Sequence, residues 1–544
     1  MRGAQAFYGT SSLDNIILPK SLEYIGDYAF TNSKLYNNAN SELYIGGWLI
    51  DLKNKDIEAL TLRPGTVGIA NLAIKEMPKL REIIFNAELK YIGDYNIYKL
   101  DSLTNVSINE GLISIGSYSF FDCKGLLVNE LPQSLMRIGE NAFNKTLSYS
   151  INDSLVTVGD WAVGHKSVNT SFIELPANIR GIADYAFNNF KALADVKFNN
   201  GLSLIGEAAF NGCQSLSNLY LPDSVNEIGA YAFSSCSGLR GVRLPSGLKK
   251  LSKSVFYMNS RLKEVEFNST LEEIGDYAFY GTAIVRLSLP GSIKKIGECS
   301  FYNIPALQVL TLNEGLEEIG AYAFSKAINL EELIIPSSVK YIADYAFYGA
   351  LGLKSISLGN GVKEIGSYSF SSLSSLTTLD LGTSIEKIGS YAFSGDSKLK
   401  DLRLPASLKE IGAYAFYGNK GLKAIYLPKT IAYIGAHAFS ANNELSLYLE
   451  AGIKDDLFNG SWNSSFRPTI KNAVFSEDGY LISFTMSDSS SLNLSAYNGL
   501  SAPIREGYEF IGWSKKEGSN ELYLSLKQTK DIPDGMTVYA IWEK

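Results

Sequence analysis

Leu399-Lys400-Asp401-Leu402-Arg403-Leu404-Pro405-Ala406-Ser407-Leu408-Lys409-Glu410-Ile411-Gly412-Ala413-Tyr414-Ala415-Phe416 is the stretch from which the fold is read. Leu402 and Leu404 are two apart, so a strand puts them on one face. Leu399 adds an inward anchor just before them. Pro405 ends the strand, because it has no N–H to give a ladder and restricts the residue before it. Leu408 and Ile411 point inward again, and Gly412 permits a bend that a Cβ would hinder. Ala415 and Phe416 then fill the far side from a short helical or 3₁₀ turn. One such unit cannot bury its own apolar face, whereas stacked copies bury it as continuous ladders.

Copies are plentiful. The closing aromatic recurs at Phe187, Phe210, Phe233, Phe256, Phe279, Phe301, Phe324, Phe347, Phe370, Phe393, Phe416 and Phe439, a constant step that shortens by one only between Phe279 and Phe301. Weaker copies extend upstream through Phe7, Phe30, Ile74, Ile97, Phe120 and Phe143. A fixed period of this length signals a solenoid. Two gaps, Phe30 to Ile74 and Phe143 to Phe187, are equal to each other and nearly twice the usual step. Each holds a tryptophan at the same offset, Trp48 and Trp161. Phe30 to Phe143, Trp48 to Trp161 and Ile74 to Phe187 all have one and the same spacing, which marks a duplicated block. The tryptophan segments, near 43–60 and 156–173, read as variant coils, giving about 20 coils in all. The chain starts inside a repeat, so the expectation is that a preceding segment, with any signal peptide it carries, is missing.

Beyond Asn443 the repeat fades. One strand-like copy remains at Leu445–Leu449, and Trp462, Phe466 and Pro468 sit where a cap is expected. Tyr480, Ile482, Phe484 and Met486 alternate as in a strand with one buried face, and 487–491 reads as a turn. The expected domains are a solenoid at 1–449, a cap or linker at 450–472 and a small β domain at 473–544.

At 544 residues a single compact core is not expected. A net charge of −7 gives no basic surface for nucleic acid or anionic lipid, and no run approaches the ~18 apolar residues of a membrane span. Four cysteines are too few for a disulfide scaffold. Cys123, Cys213 and Cys236 each follow an anchor at the same short offset and read as buried thiols, with a Cys213–Cys236 bridge as the alternative; Cys299 stands alone. The only histidines are His165 and His437, and His437 occupies a slot usually held by tyrosine. Neither Cys-x-x-Cys, His-Glu-x-x-His nor a phosphate-binding glycine loop occurs. No catalytic residues, metal ligands or cofactor are expected, and repeated carboxylates read as a solvated face.

Two columns are candidate surfaces. The residue between the inward strand anchors runs Lys197, Tyr220, Arg243, Glu266, Ser288, Thr311, Ile334, Ser357, Asp380, Arg403, Tyr426, Tyr448. Its variety suits a ligand-binding strand face, with Lys197, Tyr220, Arg243, Glu266, Asp380, Arg403, Tyr426 and Tyr448 as candidate contacts; tyrosine and arginine lead because they dominate interface hot spots. The second column is the tyrosine two before each anchor, including Tyr28, Tyr95, Tyr118, Tyr185, Tyr231, Tyr277, Tyr322, Tyr345, Tyr368, Tyr391 and Tyr414. It is a structural aromatic ladder or a tyrosine-lined contact face.

The phrase Leu-x-x-Ile-x-Leu-Pro-x-Ser-Leu-x-x-Ile-Gly-x-x-Ala-Phe-x-x-Cys, over about residues 3–449, resembles the BspA-type, or Treponema-type, leucine-rich repeat. The resemblance implies a curved right-handed solenoid with a parallel sheet. It also implies a secreted or surface-displayed protein that binds a host or neighbouring-cell protein or glycan in adhesion; the charge and the lack of a long apolar run add the expectation of no nucleic acid and no membrane insertion. Residues 503–513 and 536–542 are similar to the internalin-type B-repeat (Listeria–Bacteroides repeat), a β-grasp-like module of bacterial surface proteins. No Leu-Pro-x-Thr-Gly sorting signal closes the chain. The alternative role is a stalk that displays another domain.

Overall fold

The computed structural model describes residues 3–152 and 154–450, with four further strands at Thr469–Phe475, Leu481–Thr485, Glu509–Ser514 and Tyr539–Glu543. Two compact units result, Met1–Thr270 and Leu271–Lys544. The sequence positions named for the C-terminal cap (Trp462, Phe466, Pro468), Tyr480, Met486 and the 487–491 turn lie outside the described residues.

Both units are built from the same coil. Most coils carry a strand of about three residues, then a two-residue strand, then a segment of tight turns. Like strands of neighbouring coils pair in parallel one repeat apart, as Leu219 with Val242 and Ile365 with Ile388. The anchors assigned from the sequence face inward: Leu399, Leu402, Leu404, Leu408, Ile411, Ala415 and Phe416 are all buried. Phe324, Phe347, Phe370, Phe393 and Phe416 stack as a ladder with centroids 5.3–5.5 Å apart. Parallel pairing suits a strand whose buried side chains meet the next coil rather than a hairpin partner.

Three expectations change. The far side of the coil is not a helical or 3₁₀ turn. Its backbone alternates into the left-handed region two residues before and two after the anchor, as at Tyr345 (φ 59) and Gly349 (φ 67) around Phe347. That geometry points N–H groups at the next coil: Tyr345 N donates to Ser367 O, Phe347 N to Ser369 O and Gly349 N to Ser371 O. Among the described residues the α-helices are Lys34–Asn38 and Leu147–Ile151. Gly412 is required for space rather than for a bend, since a Cβ there would lie 2.5 Å from the backbone N of Ser390 on the coil before. Finally, strands mark about 17 coils, not 20. The coils around Phe7 and Phe30 keep the turn ladder, with Phe7 N donating to Ala29 O, but form no strand.

The tryptophan segments are more than variant coils. Each is a short helix capped by Ser33 or Thr146, followed by an antiparallel hairpin, Glu42–Ile45 with Trp48–Leu52 or Leu155–Val158 with Trp161–His165. The second hairpin strand then starts the next parallel ladder, Trp48 opposite Gly68 and Trp161 opposite Gly181. Every one of these elements recurs at the spacing that separates Trp48 from Trp161, so the duplication seen in sequence is a duplication of structure.

In the second unit, Ser446–Glu450 pairs with Thr469–Phe475 in parallel, and that strand pairs with Leu481–Thr485 antiparallel. A strand therefore runs across the 472/473 boundary. Glu509–Ser514 and Tyr539–Glu543 form a separate antiparallel pair.

Candidate ligand-binding faces

The three-residue strand holds a buried centre between two outward residues. In the first unit Asn218, Leu219 and Tyr220 are exposed, buried and exposed, as are Asp195, Val196 and Lys197. Sequence reasoning finds the residue after each centre and misses the one before it, represented by Asp195, Asn218, Glu264, Arg286, Glu332 and Thr378. The signal is present: both flanks of a residue known to point inward must point outward.

Tyr220, Arg243 and Glu266 occupy successive rows, paired by register, and Tyr220 is 76% exposed. Arg243 Nη2 lies 3.1 Å from both carboxylate oxygens of Asp223. That hydrogen bond, with another from Ser246 N–H, holds the Asp223 carboxyl below its ordinary value. Lys197 Nζ reaches Glu174 Oε1 of the neighbouring coil at 2.6 Å. In the second unit Asp380 is exposed, accepts from Gly382 N–H at 3.0 Å and faces Ser357 Oγ at 3.4 Å. Arg403 is exposed on its strand.

Tyr426 and Tyr448 do not belong to that exposed face. They are 5% and 3% exposed and stack on one another at 4.8 Å. Their alternation is correct, but here the sheet's outer side is covered, and each phenol ring gains by burial what an outward residue elsewhere leaves in water.

The two-residue strands present a different face. In the second unit their outward residues pair across coils as Lys295–Glu318, Lys387–Glu364 and, one position earlier, Lys409–Glu386, at 3.1, 3.2 and 2.7 Å. Exposed pairs of this kind add little stability. Their effect is mutual neutralisation, and this is the solvated carboxylate face expected from the repeat.

The tyrosine column is a ladder. Tyr322, Tyr345, Tyr368, Tyr391 and Tyr414 stack at 4.5–4.6 Å, and His437 continues the stack at 4.8 Å in the same left-handed conformation. Cys299 fills the same slot at φ 51. Ring faces are thereby spent on one another, leaving ring edges and hydroxyls to solvent.

The cysteines are free and buried. Cys213 and Cys236 donate to the Phe187 and Phe210 carbonyls, and burial pushes the Cys123 and Cys213 thiols up to about 12, so they pack rather than react. Among the described residues no group of three or more His, Cys, Asp or Glu side chains is placed to hold a metal, and no helix is long and apolar enough to cross a membrane.

A sequence profile described as the BspA type leucine rich repeat region matches in six copies, over residues 3–43, 52–166, 165–281, 239–351 and 317–446. No curated protein matches the chain. Among solved structures, a leucine-rich repeat protein from Bacteroides ovatus is similar at 23% identity and TM-score 0.42, covering 79% of this chain and 94% of that one. A leucine rich cell surface protein from Faecalibacterium prausnitzii shares 17% identity (TM-score 0.34), with 79% and 100% covered. The pneumococcal vaccine antigen PcpA shares 18% identity (TM-score 0.35), with 79% and 95% covered.

Proposed function

Because the chain belongs to the BspA-type leucine-rich repeat family, we propose that it is a non-enzymatic bacterial cell-surface or secreted protein that binds a protein or glycan ligand through the outward residues of its three-residue strands. The observation that carries this reading is the contrast between the two outer faces of the coil. One, in the second unit, carries repeated Lys–Glu pairs. The other displays a varied set including Tyr220, Arg243, Glu266, Asp380 and Arg403, of the types that anchor interfaces. Contact spread over many rows makes the affinity a sum of small terms, so no single residue decides it.

The surface setting draws support from the described relatives, one of them a cell surface protein and another a vaccine antigen. The antiparallel pair Glu509–Ser514 and Tyr539–Glu543, with Phe510 opposite Trp542 and Trp513 opposite Ala540, suits the B-repeat module that the sequence there resembles.

The test is binding of the full chain to an array of extracellular-matrix proteins and glycans. A variant with Lys197, Tyr220, Arg243, Glu266, Asp380 and Arg403 all replaced by Ala or Ser is run beside it. Saturable binding that the variant loses supports the strand face. Binding that survives in the variant places the ligand elsewhere, and no binding across the array turns the reading toward a stalk.

A further inference from the structure

In the second unit the ladder of three-residue strands is interrupted between Val309–Thr311 and Glu332–Ile335. To either side the rungs are complete: Gln308 N donates to Val285 O, and Lys354 N to Glu331 O. The equivalent bond from Glu331 N to Gln308 O is not made. Nor, at the other end of the strands, is one from Leu312 N to Ile334 O, which would repeat Leu289 N to Thr311 O. The rest of the two coils stays closed. Glu318 and Ile319 pair with Tyr341 and Ile342, and Phe324 stacks on Phe347 at 5.3 Å. The result is a groove of about 650 Å³ on the three-residue face, lined among others by Gln308, Val309, Asn329, Glu332 and Ile334. Its floor shows as well: Leu310 is 9% exposed, against 2% for Leu287 and 1% for Leu333 on the adjoining coils.

Other interruptions of the ladder supply an internal control. One lies between Asp195–Lys197 and Asn218–Tyr220 in the first unit, another between Thr378–Asp380 and Asp401–Arg403 in the second. Asp195, Lys197 and Asn218 face outward at the former, with the phenol of Tyr220, and Thr378, Asp380 and Arg403 at the latter. The fold thus accepts polar side chains beside a parted ladder. At the groove it carries aliphatic ones instead, Val309 at 39% exposure and Ile334 at 58%. Apolar surface gathered at a concave opening marks a contact site rather than a packing need. The charge beside it is negative. Glu331 is paired with Lys354 at 2.8 Å, whereas Glu332 has no cationic partner among the described residues. No aromatic ring lines the groove, so it lacks a flat face on which a sugar ring could stack.

Resting on the strand-face reading above, we propose that this groove docks a short extended peptide segment of a partner protein, with an aliphatic and a basic side chain two residues apart. Residues two apart in an extended chain share one face, so both side chains reach the groove together. The aliphatic one covers Val309, Ile334 and the open flank of Leu310, and the basic one meets Glu332. Main-chain N–H and C=O groups of the segment are drawn to Gln308 O and Glu331 N, because unpaired strand edges are templates for another chain.

The experiment is selection of phage-displayed random heptapeptides on the full chain, followed by titration of the recovered peptides by fluorescence anisotropy. The peptides are expected to carry Lys or Arg two residues from an aliphatic side chain. Val309→Ser combined with Ile334→Ser, and separately Glu332→Lys, should each weaken binding roughly tenfold or more. Both variants should melt as wild type does, since the replaced side chains are exposed. A selection that yields no saturable binder, or peptides that are acidic, or peptides that bind both variants as tightly as wild type, overturns the proposal. Dimerisation of the full chain that the Val309 and Ile334 variant abolishes also overturns it, by giving the groove to a second copy. The strand-face reading fails separately, because the variant that tests it leaves Val309, Glu332 and Ile334 intact. Array binding lost in that variant with no peptide binding overturns the groove alone. Array binding retained in it, with groove-dependent peptide binding, overturns the wider face and supports the groove.

Discussion

A Cβ on Gly181 would lie 2.6 Å from indole carbons of Trp161, its register partner on the hairpin strand before it. Trp48 and Gly68 stand in the same relation in the first block. Gly181 has no left-handed backbone, so the constraint is space alone. Trp161 is 1% exposed and lies flat where any side chain on the next coil would have to go. Gly181→Ala should therefore cost about 1–3 kcal/mol by overpacking. Combined with Trp161→Phe, which makes room, the total should fall below the sum of the two single costs. Urea unfolding of the four proteins measures the coupling; strictly additive costs would show that the ring does not depend on the glycine.

The same duplication offers a swap experiment. In the second block Arg137 Nε meets Asp184 Oδ2 at 2.6 Å, and Asp184 is nearly fully buried. The equivalent residues of the first block, Tyr24 and Asn71, meet as Asn71 Nδ2 to Tyr24 Oη at 2.6 Å. Both pairs bridge coils on either side of an inserted hairpin, and Asn71 N and Asp184 N donate to Ile25 O and Ile138 O in the same way. Arg137→Tyr alone strands a buried carboxylate and should cost about 3 kcal/mol or more. Arg137→Tyr with Asp184→Asn imports the neutral pair and should recover most of that loss in equilibrium unfolding. A double variant no better than the single would mean that the two bridges are not interchangeable.

Periodicity reveals the inward residues because burial in a stacked coil recurs at every copy; Phe416 and Leu408 need no structure to place. Three features stay hidden for physical reasons. The turn holding Tyr414 reads as helical, since its residues suit a short helix, while its left-handed backbone is stabilised by hydrogen bonds to the next coil and by ring stacking on its neighbours. Gly412 reads as a hinge because a sequence does not show how closely Ser390 of another coil approaches. Tyr426 and Tyr448 fall on the exposed face by alternation, which tells which side of a sheet a residue takes, not whether that side meets water.

The left-handed tyrosines reverse a familiar ranking. Tyr368 sits at φ 58 between Tyr345 and Tyr391, with rings 4.6 and 4.5 Å away. The conformation costs roughly 1–2 kcal/mol for a residue with a Cβ, and each stacked neighbour returns ~0.5–1.5 kcal/mol. Tyr368→Ala keeps the strain and loses the stack, whereas Tyr368→Gly loses both. Glycine should thus be the less destabilising substitution in thermal melts. Phe393→Ala, which opens a cavity in the core ladder, should cost about 3–5 kcal/mol and exceed either. An unchanged melt for the Phe393 variant would mean that the coil register is misassigned.

Tyr220 and Tyr426 share a repeat position and should respond in opposite ways. Tyr220→Ala removes a ring that is 76% exposed and should leave the melting curve within about 0.5 kcal/mol of wild type. Tyr426→Ala removes one that is 5% exposed and stacked on Tyr448, and should cost about 3 kcal/mol. Equal melting of the two variants would contradict the burial that separates them.

Asp396 is a carboxyl in a slot built for a hydrogen-bond donor. In that column Asn419 and Asn442 give their amide N–H to the carbonyls of Phe393 and Phe416, each at 2.8 Å. Asp396 Oδ1 accepts from Leu373 N–H at 2.8 Å, while Oδ2 is buried with no partner among the described residues. Burial pushes its carboxyl well above the ordinary value, so it holds a proton in the fold that it releases when unfolded. Between the unfolded value of about 4 and the raised folded value, the native state binds the extra proton, and stability falls as pH rises. Asp396→Asn supplies a permanent N–H donor to the slot. Its melting midpoint should match wild type near pH 4 and exceed it progressively toward pH 7, with a gain on the order of 1 kcal/mol or more. Thermal unfolding of the two proteins across that range is the check; a constant difference between their curves would mean that Asp396 does not titrate with folding.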